Sequence, residues 1–213
     1  MADPILYGPA YSTYVRTVRL ALIEKNVAYK LVEVDFFKGE TQEPAHLARH
    51  PWGKVPAFEH DGFMLYETSA IIHYIDEAFS GPKLQPTELR KRARMNQVIG
   101  ILDSYAYGAM ITSIVIQRVV VPMTGGTPDE AMIKAGIPRS ELSLKALEGL
   151  IGAQPYLAGD QFTLADCHAA PIFAYFTQTP EGQKLMPGFA QMSRWWKTME
   201  SRPSVVATAP KLG

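Results

Sequence analysis

The hydrophobic pattern changes once along the chain, and that change divides the fold into two parts. Up to about residue 80, short apolar runs typical of strands alternate with stretches whose apolar residues recur every three or four positions. From residue 87 onward only the helical spacing remains. Residues 81–86 (GPKLQP) hold a glycine and two prolines, which is typical of a linker. The sequence therefore predicts an α/β domain over 1–80, a linker over 81–86 and an all-helical domain over 87–213.

The order of elements in the first part indicates its topology. Residues 5–7 predict a strand, the stripe over 14–26 a helix, and residues 28–34 a second strand, which together make a βαβ unit with parallel strands. Two further strands flank a His-Asp-Gly turn signal within 57–66, and a helix begins at Thr68. A βαβ unit followed by ββα is the order of a thioredoxin-like domain.

The second part is predicted from helical stripes and their boundaries. One long helix spans residues 87–121 and ends at Pro122, and a shorter one spans 138–149. Residues 163–166 (TLAD) match a capping box, in which the threonine and the acid satisfy the free amides of a helix start. A last apolar stripe runs from Phe189 to Met199.

Charge and cysteine content exclude several classes of protein. The 213 residues include 21 basic and 21 acidic side chains, so the formal net charge is zero. That balance argues against a nucleic-acid partner, because such affinity depends on neutralising phosphates. The basic run 89–94 is accordingly interpreted as a solvated helix face or as a face that meets the acidic first domain. The single cysteine, Cys167, excludes an intrachain disulfide and a CxxC pair, and a buried, inert thiol is expected there.

No membrane, leader or metal is expected. The start, Met1 to Pro4, lacks the basic and apolar regions of a secretory signal. The longest apolar run, 110–121, is interrupted by polar residues and an arginine. His46 and His50 stand four apart, but neither the glutamate of an HExxH motif nor a third ligand accompanies them. These observations predict a cytoplasmic globular protein.

Three short segments combine a strand end with groups suited to a peptide-like ligand. Ser12 lies just before the first helix, where free amides and the helix dipole stabilise an anion. Val55-Pro56 opens the third strand, and a cis bond would turn the valine N–H and C=O outward for pairing with an extended ligand. Glu67-Thr68 supplies a carboxylate for a cation and a hydroxyl for an anion. Each segment also has a purely structural interpretation, as a helix cap or as the start of an edge strand.

In this order and spacing, the segments resemble the glutathione S-transferase family over the whole chain. The matching stretches are LYGPAYSTYVR, HPWGKVPA, LYETSAI and YLAGDQFTLAD, at residues 6–16, 50–57, 65–71 and 156–166. The chain is similar to serine-type members of phi- or theta-like character. The resemblance implies a thioredoxin-like glutathione-binding domain, an all-helical domain that supplies most of the electrophile pocket, and a homodimer. It implies glutathione as co-substrate, with no further cofactor.

Site residues follow from the resemblance position by position. The main chain of Val55 would pair with the cysteinyl unit of glutathione, with Pro56 cis. Glu67 and Thr68 would hold the γ-glutamyl end, and Lys54 would lie near the glycyl carboxylate.

The sequence departs from the family pattern at two places. Thr41-Gln42 follows Gly39-Glu40 where plant-type serine members often have His-Lys, so contacts to the glycyl end are not assigned there. Thr68 replaces the commoner serine and keeps the hydroxyl.

Ser12 becomes the candidate catalytic residue, whose hydroxyl would donate a hydrogen bond to the glutathione sulfur. Tyr7 is the rival, because some classes use a tyrosine at the end of the first strand. Since no cysteine precedes Cys167, classes that form mixed disulfides from this loop are disfavoured.

The implied activity is attack of a glutathione thiolate on small hydrophobic electrophiles by conjugation, with hydroperoxide reduction as a second reaction. Tyr11, Tyr107 and Met110 are candidates for the electrophile pocket, although a Met/Tyr stripe at helical spacing also suits a core. The alternative is a non-catalytic glutathione-binding or regulatory protein on the same fold.

Overall fold

A computed structural model describes residues 3–210. Met1, Ala2 and residues 211–213, which the predicted domain ranges include, lie outside the described residues. The strands are β1 (Ile5–Tyr7), β2 (Lys30–Val32), β3 (Ala57–His60) and β4 (Phe63–Tyr66). The helices are α1 (Thr13–Glu24), α2 (Pro44–Leu47), α3 (Thr68–Ala78), α4 (Leu89–Met123), α5 (Glu130–Ile151), α6 (Leu164–Phe176), α7 (Pro180–Leu185), α8 (Ala190–Glu200) and α9 (Pro203–Ala207).

The chain divides into two compact units, and its last described helix belongs with the first of them. Of the described residues, those up to Gln85 and those from Pro203 onward form one unit, and Pro86–Arg202 forms the other. The predicted range 87–213 differs at its end. The reason is that α9 packs on α1, where the Ser204 hydroxyl donates a hydrogen bond to Glu24.

The first unit has the predicted thioredoxin-like topology. Its sheet has the order β2-β1-β3-β4, with β1 parallel to β2 and antiparallel to β3. The hairpin between β3 and β4 turns at Asp61 and Gly62, both with positive φ, which matches the twist of the flanking strands. Asn26, the last residue of the predicted stripe, has a φ of 56° just after α1, in the left-handed conformation that commonly follows a helix end.

The core of this unit lies where the sheet is covered by α1 and α3. Leu6 and Phe58 are neighbours across β1 and β3, and both are fully buried. The helices α1 and α3 pack against each other, and α3 contributes the fully buried Ile71 and Ile75. These two isoleucines belong to the buried apolar face of α3.

A buried ion pair holds the predicted linker to the first unit. The Lys25 ammonium lies 3.2 Å from the Asp76 carboxylate, and both side chains are fully buried. The same carboxylate accepts hydrogen bonds from the main-chain N–H groups of Leu84 (2.8 Å) and Gln85 (3.1 Å). Residues 84–85 are therefore fixed by specific contacts rather than free to swing.

The second unit is helical, as predicted, but two of its helices differ from the expected ones. The predicted start of the helix over 138–149 is wrong, because α5 begins at Glu130. The Asp129 side chain caps this start by accepting hydrogen bonds from the first-turn main-chain N–H groups. Pro138, the first residue of the predicted range, lies inside the helix. The long helix α4 is continuous, but its middle, Leu102–Val120, is π-wound.

The helix α4 is also long and apolar enough to cross a membrane by length and composition alone. Its most apolar window has a mean hydropathy of 1.5, and half of that window is buried within the protein. The buried core helix of a soluble protein passes the same test. The sequence predicts no such segment because polar residues interrupt 110–121. These residues do not lower the mean hydropathy of the window enough to exclude it.

The capping box and the last apolar stripe are confirmed. Asp166 accepts from the main-chain N–H of Thr163 at 2.9 Å and from its hydroxyl at 3.0 Å. The stripe forms α8, which buries Met192, Trp195 and Met199. Cys167, directly after Asp166, is buried as expected.

Candidate functional site

The sheet register brings the three predicted segments to one edge of the first unit. Tyr7, Ala57 and Tyr66 are paired in one row across β1, β3 and β4. The chain leaves β1 and β4 at this row and enters β3 there. Residues just after β1, just before β3 and just after β4 therefore share the same edge of the sheet.

Ser12 lies at this edge as the residue before α1. Its carbonyl accepts from the main-chain N–H of Arg16 at 2.9 Å, which starts the helix. Its hydroxyl makes no capping hydrogen bond to the first turn, and no acidic side chain lies in that turn. The hydroxyl and the positive end of the helix are thus both available to an anion.

The peptide bond between Val55 and Pro56 is cis, as the resemblance implies. Within the described residues, neither the N–H nor the C=O of Val55 bonds to another main-chain group. Lys54, just before it, has an exposed side chain, and its carbonyl is bound by the His46 ring at 2.8 Å. The turn before β3 is therefore held in place while the Val55 main chain keeps its pairing capacity.

Glu67 has a strained backbone at the start of α3. Its φ of 71° lies in the left-handed region, which costs a non-glycine residue about 1–3 kcal/mol. The Glu67 side chain is exposed, whereas Thr68, the first residue of α3, is buried. Strain of this kind concentrates at binding sites, where the surrounding fold holds a side chain in a useful direction.

Tyr7 is engaged away from the start of α1. Its hydroxyl donates a hydrogen bond to Glu59 at 2.9 Å, and the Arg49 guanidinium lies 4.3 Å from the ring centre. Burial and the neighbouring Glu59 raise the pKa of Tyr7. A hydroxyl already committed to a carboxylate is a poor donor to a ligand thiolate.

Gly8 permits the close approach between the end of β1 and the turn before β3. Its φ is +141°, and a Cβ there would lie 2.5 Å from Val15 and 3.0 Å from Val55. No other residue type fits without displacing these side chains. The position of Val55 therefore depends on this glycine.

The predicted electrophile-pocket residues belong to different units. Tyr11 is 40% exposed in the first unit, and its ring centre lies 6.5 Å from that of Phe37. Tyr107 is half-buried in the second unit, where Met110 is fully buried, which favours a core role for Met110. The sequence reasoning missed Phe37, which is 62% exposed; two consecutive aromatic residues after β2 were its signal.

The structure also locates Thr41 and Gln42, where the sequence departs from the family pattern, and the histidine pair. Thr41 is buried in a short 3-10 turn, and Gln42 is exposed beside Gly53. His46 and His50 are both buried. Over residues 3–210, no three His, Cys, Asp or Glu side chains are grouped as metal ligands would be.

Comparison with known proteins identifies relatives of both units. Residues 6–83 match the family model described as the glutathione S-transferase N-terminal domain, and residues 85–203 match that of the C-terminal domain. Glutathione S-transferase F13 of Arabidopsis thaliana is 33% identical over 97% of this chain and 95% of its own length.

Solved structures show the same similarity. Glutathione transferase F7 from Populus trichocarpa superposes with a TM-score of 0.89 and 32% identity, covering 96% of this chain and 97% of that one. Glutathione S-transferase I from maize, solved in complex with an atrazine glutathione conjugate, gives a TM-score of 0.86 and 28% identity, covering 97% and 96%.

Proposed function

The chain belongs to the glutathione S-transferase family, and we propose on that premise that it activates glutathione through Ser12. It is a transferase that uses glutathione as its co-substrate. The observation that carries the catalytic proposal is the place of Ser12, with its hydroxyl unused as a cap at the positive end of α1. The relatives are the plant F-type enzymes, in keeping with the phi-like prediction.

The proposed role of Ser12 is to stabilise the thiolate. A free thiol has a pKa of about 8.5, so only a few per cent is ionised at neutral pH. A hydrogen bond donated by the Ser12 hydroxyl to the sulfur, together with the dipole of α1, lowers that pKa. Each unit of lowering is worth about 1.4 kcal/mol. The thiolate then attacks an electrophilic carbon held beside it.

The other residues of the shared edge hold the remainder of glutathione. The free N–H and C=O of Val55 pair with the cysteinyl unit as an added strand, which the cis bond to Pro56 leaves accessible. Glu67 takes the ammonium of the γ-glutamyl end, and Thr68 takes its carboxylate. Lys54 supplies the positive charge for the glycyl carboxylate. These roles are supported by the strand register, which brings the three segments to one edge of the sheet.

The electrophile is a small hydrophobic compound. Tyr11 and Phe37 offer exposed aromatic surface on the first unit. Tyr11 is the residue immediately before Ser12. Aromatic side chains suit flat apolar substrates. Conjugation is the main proposed reaction. In the second, the same thiolate cleaves the O–O bond of a hydroperoxide, releasing the alcohol, and a second glutathione converts the resulting sulfenic acid to glutathione disulfide and water.

The charge of Glu67 gives the first test of this site. Glu67→Gln keeps a polar side chain but removes the ion pair with the ammonium, so glutathione affinity falls by about 10- to 150-fold, the worth of a charged hydrogen bond. Calorimetric titration with glutathione measures the affinity, and conjugation of a small aromatic halide measures turnover. Glu77→Gln is the matched control, because that exposed side chain lies at the other end of α3.

Three results separate the proposal from its alternatives. Equal affinities in wild type and Glu67→Gln would contradict the assigned role of Glu67. Saturable glutathione binding without turnover on any electrophile would indicate the non-catalytic binding protein. Failure of the wild type to bind glutathione would overturn the function itself.

We also propose a cytoplasmic homodimer. Trp52 is 66% exposed in the first unit, where its ring centre lies 5.8 Å from that of Tyr66. Aromatic side chains such as tryptophan are enriched at protein interfaces. Sedimentation velocity should give twice the chain mass of 23.6 kDa, and Trp52→Lys should shift the equilibrium towards the single chain. A 23.6 kDa species in the wild type at micromolar concentration would contradict the dimer.

A further inference from the structure

We propose that His50 is a positioning residue of the glutathione site, whose neutral imidazole keeps the Glu67 carboxylate available to the ammonium group of glutathione. This inference rests on the proposed function, because it assumes that Glu67 binds that ammonium. Protonation of His50 would place a competing cation beside Glu67. Glutathione affinity would then depend on pH through this one side chain.

The position of His50 links the turn before β3 to the end of β4. Its main-chain N–H bonds to His46 and its carbonyl accepts from Gly53 at 2.8 Å, so the backbone is fixed on both sides. Its ring centre lies 5.0 Å from that of Tyr66, the residue immediately before Glu67. The His50 ring is therefore held next to the segment whose strained backbone directs the Glu67 side chain.

The surroundings of the ring favour its neutral form. His50 is only 3% exposed, and its Nδ1 atom is buried without a hydrogen-bond partner among the described residues. An imidazolium carries two N–H donors and needs an acceptor for each. A buried donor without an acceptor costs about 1–3 kcal/mol. The site therefore accommodates an imidazole with Nδ1 unprotonated and disfavours the cation.

The charged groups that face the ring act in opposite directions. Burial is the largest effect and lowers the pKa of His50. Glu67 raises that pKa, whereas His46 and Lys54 lower it. At neutral pH the imidazole is consequently uncharged. Of Glu67, His46 and Lys54, only Glu67 stabilises the protonated ring.

Proton binding at His50 and glutathione binding at Glu67 therefore oppose each other, because each places a positive charge beside the same carboxylate. The ammonium of glutathione neutralises Glu67 and so removes the largest of the effects that raise the pKa of His50. By linkage, bound ligand lowers the pKa of His50 further, and affinity falls as the pH falls through that pKa. The limiting slope is about tenfold per pH unit for one proton.

The test is the pH dependence of S-methylglutathione binding between pH 5.5 and 7.5 at constant ionic strength. The S-methyl group removes thiol ionisation, and the carboxylates and the ammonium of the ligand keep their charge over this range. We expect the wild-type Kd to rise as the pH falls, with a slope no steeper than about tenfold per pH unit. His50→Asn, which cannot titrate, should show a nearly flat profile. His73→Asn, a change at a half-buried histidine of α3 outside the site, should keep the wild-type slope.

A second readout does not depend on any variant. NMR titration of the imidazole signals of the wild type should show a lower pKa for His50 with S-methylglutathione bound than without it. A pH-independent Kd together with an unchanged His50 pKa would overturn this inference while leaving the proposed function intact. Absence of binding at every pH would instead overturn the proposed function.

Discussion

Replacing Ser12 with alanine should raise the pKa of the bound glutathione thiol most of the way towards about 8.5, with the α1 dipole keeping part of the lowering, and should reduce kcat/KM about 10²- to 10³-fold. The pKa value is that of a free thiol, and the rate loss is typical of removing one donor to a developing or full anion. Binding should change little, because Val55, Glu67 and Lys54 still hold the tripeptide. Ultraviolet difference absorbance of the bound thiolate across pH measures the pKa directly.

Two further variants test whether the Ser12 hydroxyl causes the lowering of the thiol pKa. Ser12→Thr keeps a donor at the same place and should retain most of the pKa lowering. Tyr7→Phe should leave the thiol pKa unchanged, because the Tyr7 hydroxyl is bound to Glu59. If Tyr7→Phe instead abolished the lowering and Ser12→Ala did not, the tyrosine would be the activating residue.

Asp166→Ala is expected to destabilise the protein by more than about 4 kcal/mol, since several buried donors would lose their acceptor at once. The fully buried carboxylate accepts from the Leu157 N–H (3.0 Å), the Trp195 indole N–H (2.8 Å), and the N–H and hydroxyl of Thr163. Burial alone raises the pKa of Asp166, and these four donors act against that effect. Urea unfolding measured by tryptophan fluorescence gives the free energy of unfolding.

A neighbouring aspartate provides the control for this change. Asp160 pairs with Lys91 at 2.7 Å, but both side chains are well exposed, so Asp160→Ala should leave the unfolding midpoint close to that of the wild type. Similar midpoints for Asp166→Ala and the wild type would show that water replaces the lost acceptor and that the cluster is not a stabilising centre.

Local signals in the sequence predicted much of the first unit. The strands around the hairpin follow from short apolar runs and from Asp61-Gly62, whose backbone preferences set the turn. The stop at Asn26 has the same local origin. Likewise, Thr163 and Asp166 interact within one helical turn, so their capping box was readable from spacing alone.

Features that depend on distant contacts were not predicted. The burial of His50 against Tyr66 joins residues from separate elements, and no local pattern marks it. The commitment of the Tyr7 hydroxyl to Glu59 likewise depends on strand register across the sheet. The early start of α5 was missed because Pro138 outweighed the cap signal at Asp129. The resemblance to a family suggested the candidate site residues, and the register of the sheet explains why the three segments that carry them share one edge.

The return of α9 to the first unit has a consequence for the order of synthesis on the ribosome. Ser204, Val205 and Thr208 are buried in that unit, and α1 is the helix they cover. The unit that begins the chain therefore lacks part of its core until residues 203–210 have been translated. The helical unit, by contrast, is contiguous from Pro86 to Arg202 and has all its residues earlier. Although domains usually fold in the order in which they emerge, the domain translated first in this protein is the last to be completed.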